Sequence, residues 1–227
     1  MNGGSGMLNR IGWERWAPVS GIAFVVLFVV AFIVGGDEIG NSDAEIVAYY
    51  GDGGTRASEI AAFFLVVVAS LFFLWFASTL RDRLRPAEAE PKSLSTLAFG
   101  AGVATAVLLV AALALFTVVS FEIEFRDEFQ LDPNLARLIE TAGILLFTGA
   151  VMFASVLVTA TSVLALRTAV LPNWLGWLGL PVAVALLLAI FFFPFFVLLA
   201  WVLVVSVTLI VRPLNSQPTE QEMPETT

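Results

Sequence analysis

Of the 227 residues, 59 % are hydrophobic and only 13 % charged, about half the charged fraction of an ordinary soluble domain; so much apolar surface excludes a single water-soluble core. The net charge of −8 lies outside the apolar tracts and gives no reason to expect a nucleic-acid partner. Without cysteine or histidine, the chain can have no disulfide, thiolate nucleophile, imidazole base, histidine pH switch, or Cys- or His-ligated metal or haem.

Five tracts without a central charge organise the chain: Pro18–Gly36, Ile60–Leu80, Leu94–Phe121, Leu138–Leu166 and Trp174–Val211. About 20 apolar residues cross a bilayer, so the expected fold is all-α: a polytopic transmembrane helix bundle. Residues 1–17 form a short N-terminal segment, with Met7 an alternative start to Met1. The first tract, helix 18–36, exceeds a signal-peptide h-region and no Ala-x-Ala site follows it, so it reads as a retained helix. In the loop Asp37–Ser58, Ser42 followed by Glu45 matches a capping box. That pair predicts a short helix over Asp43–Tyr50, stopped by the turn Gly51-Asp52-Gly53-Gly54. Ile46, Val47, Tyr49 and Tyr50 make it amphipathic, a surface connector rather than a ligand lid.

The second span, 59–80, runs into Arg81-Asp82-Arg83-Leu84-Arg85 and a linker bracketed by Pro86 and Pro91. The third, 94–121, carries Ala98, Gly102 and Ala106 at the spacing that lets helix backbones approach closely. Beyond it, Glu122 and Arg126 have the favourable i,i+4 order. The carboxylates there lack a Ca²⁺-loop pattern, so a solvated acidic face is expected and no metal. Asp132-Pro133 reads as an N-cap and first helical residue, opening a helix whose membrane part is 138–166. On it Thr141, Thr148, Ser155 and Ser162 recur every seven residues, with Thr159 one turn away. Packing is the bland reading of this stripe. The sharper one is a weakly polar cavity lined by Thr148, Ser155 and Thr159 that admits a lipid or small amphiphile, widened by a bend at Pro181.

The fifth tract has 38 residues, roughly 57 Å as one helix at about 1.5 Å per residue. It must fold into a hairpin, 174–191 and 194–211, turning near Phe191-Phe192-Phe193-Pro194. Trp75 and Trp201 are expected to pack or face lipid. Residues 213–227, rich in Pro, Thr and Glu, are expected to be a disordered tail.

Six crossings with the N-terminus inside place Arg10, Arg15, Arg81, Arg83, Arg85, Lys92, Arg167 and Arg212 in the cytoplasm, against Arg56, Arg126 and Arg137 outside. That bias fixes both termini as cytoplasmic. Trp13, Trp16, Trp174 and Trp177 fall at the same boundary. No ionisable residue lies near the midplane, because Glu59, Glu122 and Glu140 fall at the outer interface, and this disfavours charge-coupled transport. Walker A, His-Glu-x-x-His and Gly-x-Ser-x-Gly elements are missing.

The segment Asp43-Ala44-Glu45-Ile46-Val47-Ala48-Tyr49-Tyr50, the helix end Leu74-Trp75-Phe76 to Arg81-Asp82-Arg83-Leu84-Arg85, and Leu171-Pro172-Asn173-Trp174-Leu175-Gly176-Trp177-Leu178-Gly179 resemble uncharacterised multi-pass membrane proteins of actinobacteria. The resemblance implies an integral membrane location and no known activity. For a bundle without a catalytic or ion-coupling constellation, the expected function is an interaction or accessory subunit of the bacterial plasma membrane, not an enzyme. The alternative is a carrier or binding protein for an uncharged amphiphile or lipid. A weaker third option is an enzyme using Glu122 and Glu124. Membrane lipids and a protein in the membrane are the expected partners, and no cofactor is expected.

Overall fold

A computed structural model of the chain describes residues 19–35, 39–40, 42–126, 128–168, 170–188 and 194–211. Among these residues there are helices and no strand. In chain order they are α1 (Val19–Val34), α2 (Asp43–Gly51), α3 (Gly53–Leu84), a 3₁₀ turn (Arg85–Ala87), α4 (Ser93–Phe125), α5 (Pro133–Thr168), α6 (Asn173–Leu186) and α7 (Pro194–Val211). The segments 1–17 and 213–227, the turn residues 191–193, and Trp13, Trp16 and Arg212 lie outside the described residues.

Successive helices from α3 to α7 pack on one another, and α1 meets both α3 and α7, so these six close into a ring. Direct contacts fix each register. Phe24 of α1 meets Phe73 of α3 at 4.7 Å between ring centroids. Thr105 of α4 donates to the Ala150 carbonyl of α5 at 3.3 Å. Phe28 of α1 meets Phe195 of α7 at 4.5 Å, and Phe195 meets Phe147 of α5 at 5.1 Å. These rings fill the centre, and one continuous apolar core joins all six helices.

Small residues allow close approach at several of the contacts. Ala98, Gly102 and Ala106 are all buried, and a Cβ on Gly102 would lie 2.9 Å from that of Ala77. Gly179 of α6 is as constrained, since a Cβ there would sit on the Ser162 hydroxyl. Close approach of backbones is how helices associate where lipid competes for apolar contact. The outward faces carry large apolar side chains too: Ile33 is 73 % exposed, Leu145 68 % and Leu71 61 %. An apolar belt of this extent suits lipid rather than water as the surrounding solvent. Four helices, α3, α4, α5 and α7, are long and apolar enough to cross a membrane, while α1 and α6 are shorter. The molecule is an all-α bundle of membrane-protein type.

Several boundaries differ from expectation, α3 and α4 also running on to Leu84 and Phe125 beyond the expected 80 and 121. The second membrane helix was expected from residue 59, but α3 starts at Gly53 because the Asp52 carboxylate accepts from the N–H and hydroxyl of Thr55, both at 2.8 Å. The Gly-rich turn thus shrinks to Asp52 alone, which ends α2 and begins α3. Helix α6 was expected to reach 191 but stops at Leu186, where Leu187 and Leu188 donate to Val184 and Ala185 in i→i+3 bonds. Pro181 lies inside α6 without ending it. By contrast α7 begins at Pro194, the expected residue.

Candidate functional site

The sequence provides the starting structure of the site at α2. Ser42 and Glu45 form both arms of the capping box: Glu45 N–H donates to Ser42 Oγ at 3.3 Å, and Ser42 N–H to the Glu45 carboxylate at 2.9 Å. Helical periodicity then turns Ile46 and Tyr50 to one face, and both are buried, Tyr50 to 2 % exposure. They pack on Val119 of α4 and Ala136 of α5, with Ile39, Tyr49 and Ile139 around them. Val47 points away and is exposed. The short helix is therefore a cap laid over one end of the ring, called here the cap end.

Polar side chains beneath α2 tie it to three helices. Glu59 of α3 accepts from the Tyr49 hydroxyl at 2.6 Å and from the Ser120 hydroxyl of α4. Arg56, one turn earlier, donates to the Tyr50 carbonyl at 2.7 Å and to Glu124 of α4 at 3.1 Å. Arg137 of α5 pairs with Asp43 of α2. Burial pushes the Tyr50 hydroxyl well above its ordinary value, and the charges of Glu59 and Glu140 push it further. At the exposed Asp52, the hydroxyl and N–H of Thr55 hold the carboxyl below its usual range. Glu122 and Arg126 make the expected i,i+4 pair at 3.0 Å. Asn134 N–H donates to Asp132 at 2.9 Å, which caps α5 as expected. No group of three or more carboxylates converges as a metal site would require, among the described residues.

The sequence reading put Glu59 at an interface and went no further. The Tyr49 and Ser120 hydroxyls that reach it come from other helices, and no local spacing signals them.

The three stripe residues occupy different surroundings. Thr148 is half-buried, Ser155 buried and Thr159 exposed. Each donates within its own helix: Thr148 to Ile144 O at 2.9 Å, Ser155 to Met152 O at 2.8 Å, Thr159 to Ser155 O at 2.7 Å. Such back-bonding satisfies a hydroxyl without a ligand. Ser162, the fourth member, lies against Gly179 of α6 and serves the close contact there. Trp201 is buried with its indole N–H unpartnered, while Trp174 and Trp177 are exposed where α6 begins. At that same end Arg81 lays its guanidinium over the Phe99 ring at 5.2 Å.

Compared with known proteins, the chain matches no family model, and neither a curated protein nor a solved structure matches it significantly.

Proposed function

We propose that the chain is an integral protein of the bacterial plasma membrane, crossing it six times with both termini and the arginine-rich end in the cytoplasm. It acts as an interaction or accessory subunit rather than an enzyme. The observation that carries this reading is the way the cap end uses its polar groups. Glu59, Tyr49, Ser120, Arg56 and Glu124 are all spent on fixing α2. Preordering a surface lowers the entropy lost when a partner binds it. The carboxylates that could have served a catalyst, Glu122 and Glu124, are each held by an arginine.

The test is purification in mild detergent with a photo-crosslinking residue at Val47, which faces outward on α2. A stoichiometric protein crosslinked through that position is expected. Recovery of the chain alone, without crosslink, would overturn the proposal. Orientation is checked separately by reporter fusions after residue 92, which should report a cytoplasmic location.

The rival reading, a carrier for an uncharged amphiphile or lipid, predicts that replacing Thr148, Ser155 and Thr159 together by alanine abolishes ligand co-purification while the fold persists.

A further inference from the structure

Far from the cap, an open trough of about 690 Å³ lies along the start of α4 beside α5. Its composition changes along its length. Lys92, Ser93 and Thr96 form a polar mouth where α4 begins, and Leu97, Phe153 and Val156 wall the remainder. Gly100 lies in the lining, and a Cβ placed on it would meet nothing within 4 Å. Gly100 is exposed, so the trough is open to the surroundings there and no side chain of its own narrows it.

The mouth is built with care. Lys92, the single lysine of the chain, has φ 49° and ψ 42°, a left-handed conformation that non-glycine residues seldom adopt. It offers α4 no side-chain cap. Glu88 supplies one instead, accepting from the N–H groups of Leu94 at 2.7 Å and Ser95 at 3.0 Å. Glu88 is thereby committed to the helix start. Lys92 pairs with Glu90 at 3.0 Å, the two side chains being 34 % and 77 % exposed, and its charge also acts on the Glu88 carboxylate. An ion pair so open to solvent is weak, so a better partner displaces it readily.

The geometry points to a resident glycerophospholipid with a phosphoethanolamine headgroup. One acyl chain lies along Leu97, Gly100, Phe153 and Val156, the phosphate faces Lys92, and the headgroup ammonium faces Glu90. The paired charges select a zwitterionic headgroup over a purely anionic one. A cation at the mouth of the trough, paired with a neighbouring exposed carboxylate, complements a phosphate linked to an ammonium. A purely anionic headgroup would meet the Glu90 charge unfavourably. The apolar length of the trough, between helices whose outer faces are themselves apolar, suits a chain that already lies in the bilayer. This site is independent of the partner proposed at the cap end.

Native mass spectrometry of the full chain in mild detergent tests it, with dioleoyl phosphatidylethanolamine, dioleoyl phosphatidylglycerol and dioleoylglycerol added as probes. One phosphatidylethanolamine should be retained, about fivefold in preference to phosphatidylglycerol, the scale of an exposed charge contact. Glu90→Gln should erase that preference. Lys92→Gln should lower both phospholipids towards the retention of dioleoylglycerol. Gly100→Leu should reduce occupancy by about tenfold with helix content and monodispersity unchanged. Equal retention of the three probes by the native chain, or retention unaffected by all three variants, would overturn the assignment. So would self-association of the native chain through this face with no lipid bound.

Discussion

The two ends of the ring treat their charged residues in opposite ways. At the cap end, Glu59, Arg56 and Arg137 each reach across to another helix, and the residues they hold, Tyr49, Tyr50 and Asp43, belong to one short helix lying across the opening. At the arginine end two contacts stay within the linker and the start of α4, and one joins α3 to α4. Glu88 caps the helix six residues on, Lys92 pairs with Glu90, and Arg81 lies over Phe99. One end is closed by long-range side-chain bonds, and the other is left open beside a trough. The difference teaches that similar numbers of charges serve either to immobilise a surface or to remain exchangeable. Burial and partner distance decide which.

The strongest way to break this contrast is Tyr50→Ala. Removing a fully buried aromatic from under α2 should cost about 3–5 kcal/mol. Hydrogen exchange should then show α2 losing protection while the helix starts at Ser93 and Asn173 keep theirs. Equal loss at both ends would mean that the cap is not a separate unit.

Tyr49→Phe is a milder break. It leaves the Glu59 carboxylate with one hydroxyl donor fewer in a half-buried site, a loss of roughly 1–3 kcal/mol. Thermal unfolding in detergent should register it, and the double variant with Glu59→Gln should recover part of the loss.

A third test removes the local cap at the opposite end. Glu88→Gln should cost about 1 kcal/mol, the usual worth of a helix N-cap, with protection falling only in the first turn of α4.

The pH response separates the ends further. Burial raises the Glu88 carboxyl, but hydrogen bonds from Ser95 and Leu94 outweigh it and hold the group below its ordinary value. Its contribution is therefore present above the ordinary carboxylate range and lost as pH falls through the lowered value. Asp52 shares that sign at the cap end. Tyr50 has the opposite sign. Its folded value is raised, so its contribution is complete below the ordinary tyrosine value and declines as pH climbs towards the raised one. Alkali should thus loosen the cap end selectively, and Tyr50→Phe should remove that sensitivity. Exchange rates followed above pH 10 check this, and an unchanged alkaline profile in the variant would contradict it.

The smallest effect belongs to Arg126→Ala. Its exposed pair with Glu122 should be worth less than about 0.5 kcal/mol, within error by thermal unfolding.

Local features were legible before any coordinates. Ser42 with Glu45, Asp132 before Pro133, Glu122 with Arg126, and the break at Pro194 each involve residues within one helical turn, so spacing alone reveals them. The Gly-rich segment 51–54 misled because glycine reads as a turn, whereas Asp52 caps a helix that runs straight through Gly53 and Gly54. The hydroxyl stripe of α5 was visible as a period, but period does not show where a hydroxyl points its proton. In a helix, the carbonyl three or four residues back is always within reach.

By itself the sequence determined that this chain forms apolar helices suited to lipid, roughly where each begins, and which small residues allow close approach. Those properties follow from composition and from bonds spanning a few residues. Only the tertiary structure decided that α1 closes the ring on α7, that Ser120 reaches Glu59 from 61 positions away, that α2 lies over α4 and α5, and that a trough opens at Gly100. Helices that are apolar on nearly every side carry little record of which face meets which. That choice is made by packing among residues distant in the chain.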